Sequence, residues 1–345
     1  MGTCKVKLSY LFLAAMLALC SCTCEQQQIT PPEPQEEDSG FAKGADVSWL
    51  TQLESEGYIF TDHNGVQTEC MQLLKEQCGV NSIRLRVWVN PVDGWNNADD
   101  VLAKARRADA LGLRLMIDFH FSDTWADPGH QTIPAAWADY GIEEMKSAVA
   151  DHVTSVLNKL KAFKIEPEWV QIGNESSTGM LWPLGKYTNG NNYAALSNAG
   201  YDAAKAVCPD TKVIIHLHSG DALSIYTTIF DYMYKYGGKY DLIGVSLYPS
   251  ASSWKSTIDS FIRNITTLYD KYGKNVMVCE IGMNYSEAEE CRDCIAYLMK
   301  EGRATGHMDG IFYWEPEAPE GYNGGYDKGC FRNGTPTVAL DAFME

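Results

Sequence analysis

Trp169-Val-Gln-Ile-Gly-Asn-Glu175 is an apolar run that stops in a Gly-Asn turn and presents an acid. A strand that is apolar on both faces and polar only past its C-terminal end belongs to a parallel sheet covered by helices. Leu115-Met-Ile-Asp-Phe119, Val213-Ile-Ile-His216 and Asn275-Val-Met-Val-Cys-Glu280 repeat the pattern. Outward from these, strands are read at 42–47, 82–87, 114–119, 169–174, 213–217, 242–246, 276–279 and 310–314. Helical periodicity fills the intervals at 69–78, 98–111, 142–162, 193–207, 224–236, 257–272 and 287–300, with a short closing helix at 338–343. This alternation predicts an α/β protein, and eight such units predict a (β/α)8 TIM barrel in a single catalytic domain over 41–345. A doubly wound open sheet is the alternative, but no Gly-x-Gly-x-x-Gly turn opens a helix after any strand.

The N-terminus departs from this pattern. Residues 1–21 carry Lys5 and Lys7 and then the apolar run 8–19, which reads as a secretion signal too short to cross a bilayer stably. Leu19-Cys20-Ser21-Cys22 resembles a bacterial lipoprotein cleavage box, with Cys22 as the lipidated first residue of the mature chain. Cys20 and Cys24, or a plain cleaved signal with incidental cysteines, are the alternatives. The acidic, Gln- and Pro-rich remainder of 22–40 has the composition of a flexible tether. The expected placement is lipid-anchored, at the outer-membrane surface of a Gram-negative bacterium.

The formal net charge is −17, and loss of Lys5 and Lys7 with the signal makes the mature chain still more acidic. Nucleic acid and strongly anionic polymers are thereby disfavoured as partners, whereas a neutral glycan is not. Beyond Cys24 the cysteines are Cys70, Cys78, Cys208, Cys279, Cys291, Cys294 and Cys330, an odd number that leaves at least one thiol free. Cys291-Arg-Asp-Cys294 has redox or zinc spacing but no second pair. It reads as a local disulfide or two unlinked thiols.

In a barrel of this kind the chemistry sits at the C-terminal ends of the strands. Those ends offer Asp46 and Ser48; Arg84, Arg86 and Trp88; Asp118, His120, Asp123, Trp125 and Asp127; Asn174 and Glu175; His216 and His218; Ser246 and Tyr248; Glu280; Trp314 and Glu315. Two glutamates at the ends of strands 4 and 7 suit a retaining glycoside hydrolase, whose carboxyls face each other about 5–5.5 Å apart. Glu175 is expected to be the general acid/base and Glu280 the nucleophile, kept ionised by an arginine such as Arg84. Either acid alone would more simply be a solvated or salt-bridged loop residue. Asn174 is placed to hydrogen-bond the substrate 2-hydroxyl.

His120, Asp123 and Asp127 also raise a metal reading, weakened by the lack of any His-Glu-x-x-His and by Pro128. No metal or cofactor is expected. Of His216 and His218, two apart in a strand, one is expected at the barrel mouth, with His218 the better candidate for a structural histidine. Trp88, Trp125, Trp182, Trp314, Tyr248 and Tyr285 offer stacking faces for a sugar, although core packing explains most single tryptophans equally well.

These residues fall into longer segments: Gly44-Ala-Asp46-Val-Ser48, Ile83-Arg84-Leu-Arg86-Val-Trp88-Val-Asn90-Pro91, His120-Phe-Ser-Asp123-Thr-Trp125-Ala-Asp127-Pro128, Leu181-Trp182-Pro183-Leu184-Gly185, Gly244-Val-Ser246-Leu-Tyr248-Pro249 and Tyr313-Trp314-Glu315-Pro316. Together with Gly173-Asn174-Glu175, Ile215-His216-Leu217 and Glu280, they resemble glycoside hydrolase family 53, the endo-β-1,4-galactanases. The resemblance spans residues 44 to 316. It implies retaining, endo-acting hydrolysis of β-1,4-galactan, the neutral side chain of pectin and type I arabinogalactan, and of its galacto-oligosaccharides. It also implies substrate contacts at Asp46, Arg84, Trp88, His120, Asp123, Trp125, Asn174, His216, Ser246, Tyr248, Tyr285 and Trp314. Separately, a monomer is expected.

Three departures stand out. The interval 283–290 is short and lacks the acid-rich run with which some bacterial members bind calcium, Leu247 stands where a tyrosine is expected, and the Gly-rich loop 318–331 is compact. A β-mannanase or endoglucanase of the same clan, and a glycan-binding lipoprotein without catalysis, are the competing readings.

Overall fold

A computed structural model describes residues 40–345; the signal, Cys22 and the tether up to residue 39 lie outside the described residues. Eight parallel strands close into a barrel in chain order: β1 (Ala42–Asp46), β2 (Ser82–Val87), β3 (Arg114–Phe119), β4 (Trp169–Ile172), β5 (Lys212–Leu217), β6 (Leu242–Leu247), β7 (Val276–Ile281) and β8 (Met308–Trp314). β8 returns to β1 in register from Ala42↔Gly310 to Asp46↔Trp314. Outside run α1 (Cys70–Cys78), α2 (Ala98–Ala110), α3 (Ile142–Lys161), α4 (Asn192–Val207), α5 (Leu223–Tyr236), α6 (Trp254–Tyr272) and α7 (Ala288–Ala304). The closing segment Val338–Met344 is a 3₁₀ helix rather than an α-helix.

Local chemistry sets the helix ends. The Glu69 carboxylate accepts from the backbone N–H of Gln72, the Asn97 side chain accepts from those of Asp99 and Asp100, and Gly79 closes α1 in the left-handed region. Sequence periodicity did not reveal the short helix Leu50–Ser55, the pairing of Gly179–Met180 with Gly185–Lys186, or that of Phe331–Arg332 with Thr335–Pro336. All are too short to show a period.

Two apolar layers hold the barrel. One lies between strands and helices; the other fills the interior with Ala42, Met116, Trp169, Ile214, Leu242, Met277, Cys279 and Phe312. Above that plug the inward side chains turn polar. All seven described cysteines are buried free thiols, so the Cys291/Cys294 pair is two unlinked thiols in α7. Leu247 packs into the layer outside the barrel, away from its mouth.

The interior is filled by size complementarity across the closing seam. A methyl group on Gly44 of β1 would stand 2.1 Å from the ring of Phe312 in β8. Gly44→Ala is therefore expected to destabilise the barrel by about 1–3 kcal/mol, as overpacked cores do. Urea denaturation of residues 40–345 checks this, and an unchanged midpoint would mean that Phe312 can move aside.

Candidate active site

Strict alternation along β7 would bury Glu280 among the helices. Met277 and Cys279 already point into the barrel, while Val276 and Val278 face out. The ladder shifts at this point: Val245 pairs with Val278, but the next pair is Ser246 with Glu280, and a matching irregularity occurs against β8. A bulge of this kind re-aims a side chain. It turns Glu280 into the mouth of the barrel, where it is 5% exposed.

Two donors meet the Glu280 carboxylate there. Arg84 Nη2 lies 3.0 Å from Oε1, and the Tyr248 hydroxyl donates to Oε2 at 2.6 Å. Burial pushes the Glu280 carboxyl above the ordinary range, while Arg84 and Tyr248 pull against it. Arg84 itself is 1% exposed and fully engaged. Nη1 reaches Asp46 Oδ2 at 2.7 Å, and Nη2 reaches Asp118 Oδ2 at 2.8 Å and Asn174 Oδ1 at 3.0 Å. Gln171 Oε1 accepts from Nη2 at 3.1 Å. Against the cost of burial, Arg84 and His120 hold Asp118 below its usual pKa. The same carboxylates raise Arg84 well above its ordinary value despite its burial.

Glu175 sits in different surroundings. The chain leaves β4 through Gly173 (φ +82°) and places Glu175 itself at φ +42°, a conformation that L side chains rarely adopt. Burial of its carboxyl and the nearby charge of Glu280 push it up to about 8; a hydrogen bond with Ser246 and the charge of Arg84 offset this only in part. Among the described residues, no cation pairs with Glu175 in the way that Arg84 pairs with Glu280. These surroundings favour the proton on Glu175 and the charge on Glu280. His216 is held between Asn174 Oδ1 at 2.9 Å and Ser246 Oγ at 2.8 Å; burial and Arg84 drive its pKa far down, so it stays neutral.

A cavity of about 470 Å³ opens over these residues, bordered by Arg84, His120, Asn174, Glu175, Tyr248, Glu280 and the tryptophans 49, 125 and 314. One wall is the loop after β8, at Asn323 to Lys328. A second cavity of about 530 Å³ shares Glu175 and Tyr248 with it and is lined by His218, Ser219, Asp221, Ser246, Ser250 and Ser253. On the opposite side a third, of about 240 Å³, shares Trp49, Trp125 and Asn323 and adds Trp88 and Trp95. The first cavity thus shares lining residues with each of the other two, which share none with each other.

The structure thus brings together most of the residues singled out in the sequence. Asp46 and His216 lie beneath the floor, where they hold Arg84 and Ser246. Trp88 Nε1 donates to His120 Nδ1 at 3.3 Å, and His120 Nε2 faces Asp118 Oδ2 at 2.9 Å. Asp123 stands apart. It accepts from the backbone N–H groups of Asn90 and Ala135, both at 2.9 Å, and so ties two loops together at the edge of the third cavity. Tyr285 stacks beneath Arg332 and borders none of the three cavities. Trp182 also lies away from them, under Lys186. His120, Asp123 and Asp127 have separate partners, Asp127 pairing with His130. His218, expected to be structural, borders the second cavity, while His216 is the buried one.

Gln171 and Trp49 are not singled out by the sequence, and the loop 318–331, read there as compact, supplies the cavity wall at 323–328. Gln171 looked like one polar residue in an apolar strand, and that oddity was the available signal. Trp49 follows the Asp46–Ser48 motif by one position, and the wall, Asn323-Gly-Gly-Tyr-Asp-Lys328, has no strand or helix period that would mark it.

Residues 42–335 match the model of glycosyl hydrolase family 53. The arabinogalactan endo-β-1,4-galactanase A of Aspergillus niger is 33% identical over 331 residues, covering 88% of this chain and 92% of its own length. Among solved structures, a fungal β-1,4-galactanase superposes with a TM-score of 0.78 at 30% identity, covering 87% of this chain and 98% of its own. A family 53 catalytic domain from Ignisphaera aggregans gives 0.80 at 31%, covering 88% and 95%. The paired glutamates at the ends of β4 and β7 lie within the matched region, and the chain belongs to glycosyl hydrolase family 53.

Proposed function

We propose that this chain cleaves β-1,4-galactan internally by double displacement, with Glu280 as nucleophile and Glu175 as acid/base. The observation that carries the reading is the pair of glutamates with opposite surroundings, Glu280 beside the Arg84 guanidinium and Glu175 with no ion-pair partner among the described residues, at a cavity flanked by two others that share its lining. The named relatives supply the substrate. In the first step Glu280 attacks the anomeric carbon while Glu175 gives its proton to the departing glycosidic oxygen. In the second, Glu175 takes a proton from water, which attacks the same carbon and frees Glu280. Tyr248 and Arg84 stabilise the leaving carboxylate. Asn174 gives one amide N–H to Ala126 O at 2.7 Å, and the other is assigned to the 2-hydroxyl of the reacting sugar.

The lining residues also set the polarity of the substrate. Glu280 borders only the first cavity, so the sugar attacked lies there. Glu175 borders both, so the leaving sugar lies in the second. The non-reducing part of the chain then runs over the tryptophans toward the third cavity. Adjoining cavities built by one chain suit a monomer acting within a polymer. Export and lipid attachment through Cys22 fit a substrate too large to enter the cell.

The deciding experiment is chromatography of products from residues 40–345 incubated separately with linear β-1,4-galactan, β-mannan and β-glucan. Short galacto-oligosaccharides from galactan alone are expected. Cleavage of mannan or glucan instead would establish another clan specificity, and tight binding without products would favour the non-catalytic reading. In the same assay Glu175→Gln is expected to lose about 10²–10⁴-fold in rate, the usual worth of acid/base catalysis, and Glu280→Gln at least as much.

The pH profile follows from the protonation states. Glu175 must hold its proton to act as the acid, so kcat/KM is expected to fall as pH rises through about 8. Activity should also fall on the acid side as Glu280 takes up a proton. A profile still rising above pH 9 would reverse the assignment. For the anchor, Cys22→Ser is expected to move the enzyme from the membrane fraction to the soluble exported fraction, and unchanged membrane attachment would exclude Cys22 as the lipidated residue.

A further inference from the structure

The catalytic reading leaves a buried cation at the cavity itself unused. Arg86, the second arginine of Arg84-Leu-Arg86, is 1% exposed and borders the first cavity. Its Nη1 is ion-paired with Glu315. Its Nε and Nη2 have no oxygen or nitrogen partner among the described residues. Tryptophan rings surround the guanidinium instead: its carbon lies 4.4 Å from the Trp125 ring centroid, 5.1 Å from that of Trp49 and 5.3 Å from that of Trp88. The rings meet one another edge to face, Trp49 with Trp125 at 5.6 Å and Trp88 with Trp125 at 5.3 Å. Trp125 passes the contact on to Trp314 at 6.1 Å.

We infer that Arg86 is a positioning residue: it fixes the tilt of the tryptophan wall and thereby the binding of galactose units on the non-reducing side of the cleaved bond. This rests on the substrate polarity proposed above. A guanidinium withdrawn from water needs compensation, and here the aromatic faces provide it together with one carboxylate. Rotation of any ring would strip that compensation from a buried charge, so each ring is held more firmly than edge-to-face packing alone would hold it. Glu315 strengthens the arrangement. While paired with Arg86 it also accepts from the backbone N–H of Trp49 at 3.1 Å, so the ring and the backbone of Trp49 are tied to the same ion pair. A wall fixed before the substrate arrives spares the ordering cost on binding.

Lysine keeps the charge but lacks the planar face and the fork. The test is Arg86→Lys, assayed on β-1,4-galacto-oligosaccharides from galactotriose to galactohexaose, with near-UV circular dichroism of the free protein. The expected result is a KM for galactohexaose raised about tenfold with kcat nearly unchanged, little change for galactotriose, and an altered indole spectrum. An unaltered spectrum with unchanged KM overturns the proposal, as does an equal fall in kcat for short and long substrates. Should Arg86→Lys fail to fold, Glu315→Gln keeps the size of the anchor while weakening its hold on Arg86, and it should show the same signature in milder form. A wild type inactive on galactan would instead count against the substrate assignment, because the indole spectrum is read without substrate.

Discussion

Everything at the barrel mouth depends on the guanidinium of Arg84. It stands above the apolar plug and meets three carboxylates, those of Asp46, Asp118 and Glu280, within 3.0 Å. One positive charge against three carboxylates is not a stabilising device. Burying ions costs several kcal/mol each, and such clusters can often be replaced by apolar residues without loss of stability. What the cluster supplies is placement. Arg84 is held from below and from the sides, so the Nη2 edge that meets Glu280 has one direction available to it. The apolar interior of Met116, Trp169, Ile214 and Phe312 carries the folding energy that makes the arrangement tolerable.

The excess of negative charge also separates the two glutamates in function. Glu280 can remain ionised because Arg84 and Tyr248 donate to its two oxygens. Glu175 faces that charge with only the Ser246 hydroxyl and a more distant Arg84 to offset it, so a second ionisation is opposed by both burial and repulsion. The proposed roles of acid and nucleophile thus fall to the same residue type, and the difference in surroundings lies in which donors reach it. Backbone geometry contributes too, since the left-handed turn at Glu175 and the bulge before Glu280 each place a carboxyl that regular strand geometry would direct elsewhere.

How much of this was legible in the sequence follows from the same physics. Parallel strands covered on both faces read as apolar runs, so β2 and β3 could be placed to the residue, and strand ends announced themselves by polar residues. Which acids lay at those ends was therefore legible, together with Arg84 as partner of Glu280. Orientation was harder. Parity along β7 directs Glu280 outward, and only the pairing of neighbouring strands reveals the extra residue. Asp123 is expected at the substrate as a polar residue past strand 3, and Tyr285 as a stacking face for a sugar. Their partners turned out to be loop amides in one case and Arg332 in the other, contacts between segments distant in sequence. The enclosure of Arg86 was hidden for the same reason, since Trp49, Trp88 and Trp125 come from three different strand–loop junctions.

The adjoining cavities are chemically unequal on the two sides of the glutamates, and the inequality fits a two-step reaction. On the side of Glu280, tryptophans offer broad apolar faces for sugar rings. Beyond Glu175 the lining is His218, Ser219, Asp221, Ser246, Ser250 and Ser253, groups that hydrogen-bond water as readily as a hydroxyl. Under the proposed polarity, a chain cleaved between them is gripped through stacking on one side and through exchangeable hydrogen bonds on the other. The leaving portion is then the part that departs first, while the portion bonded to Glu280 stays on the aromatic wall. Water must next reach the anomeric carbon from the vacated side, where Glu175 waits as base. A polar, hydrated cavity at that position supplies the second nucleophile where it is required, and an aromatic lining there would hinder both the departure of the product and the arrival of water.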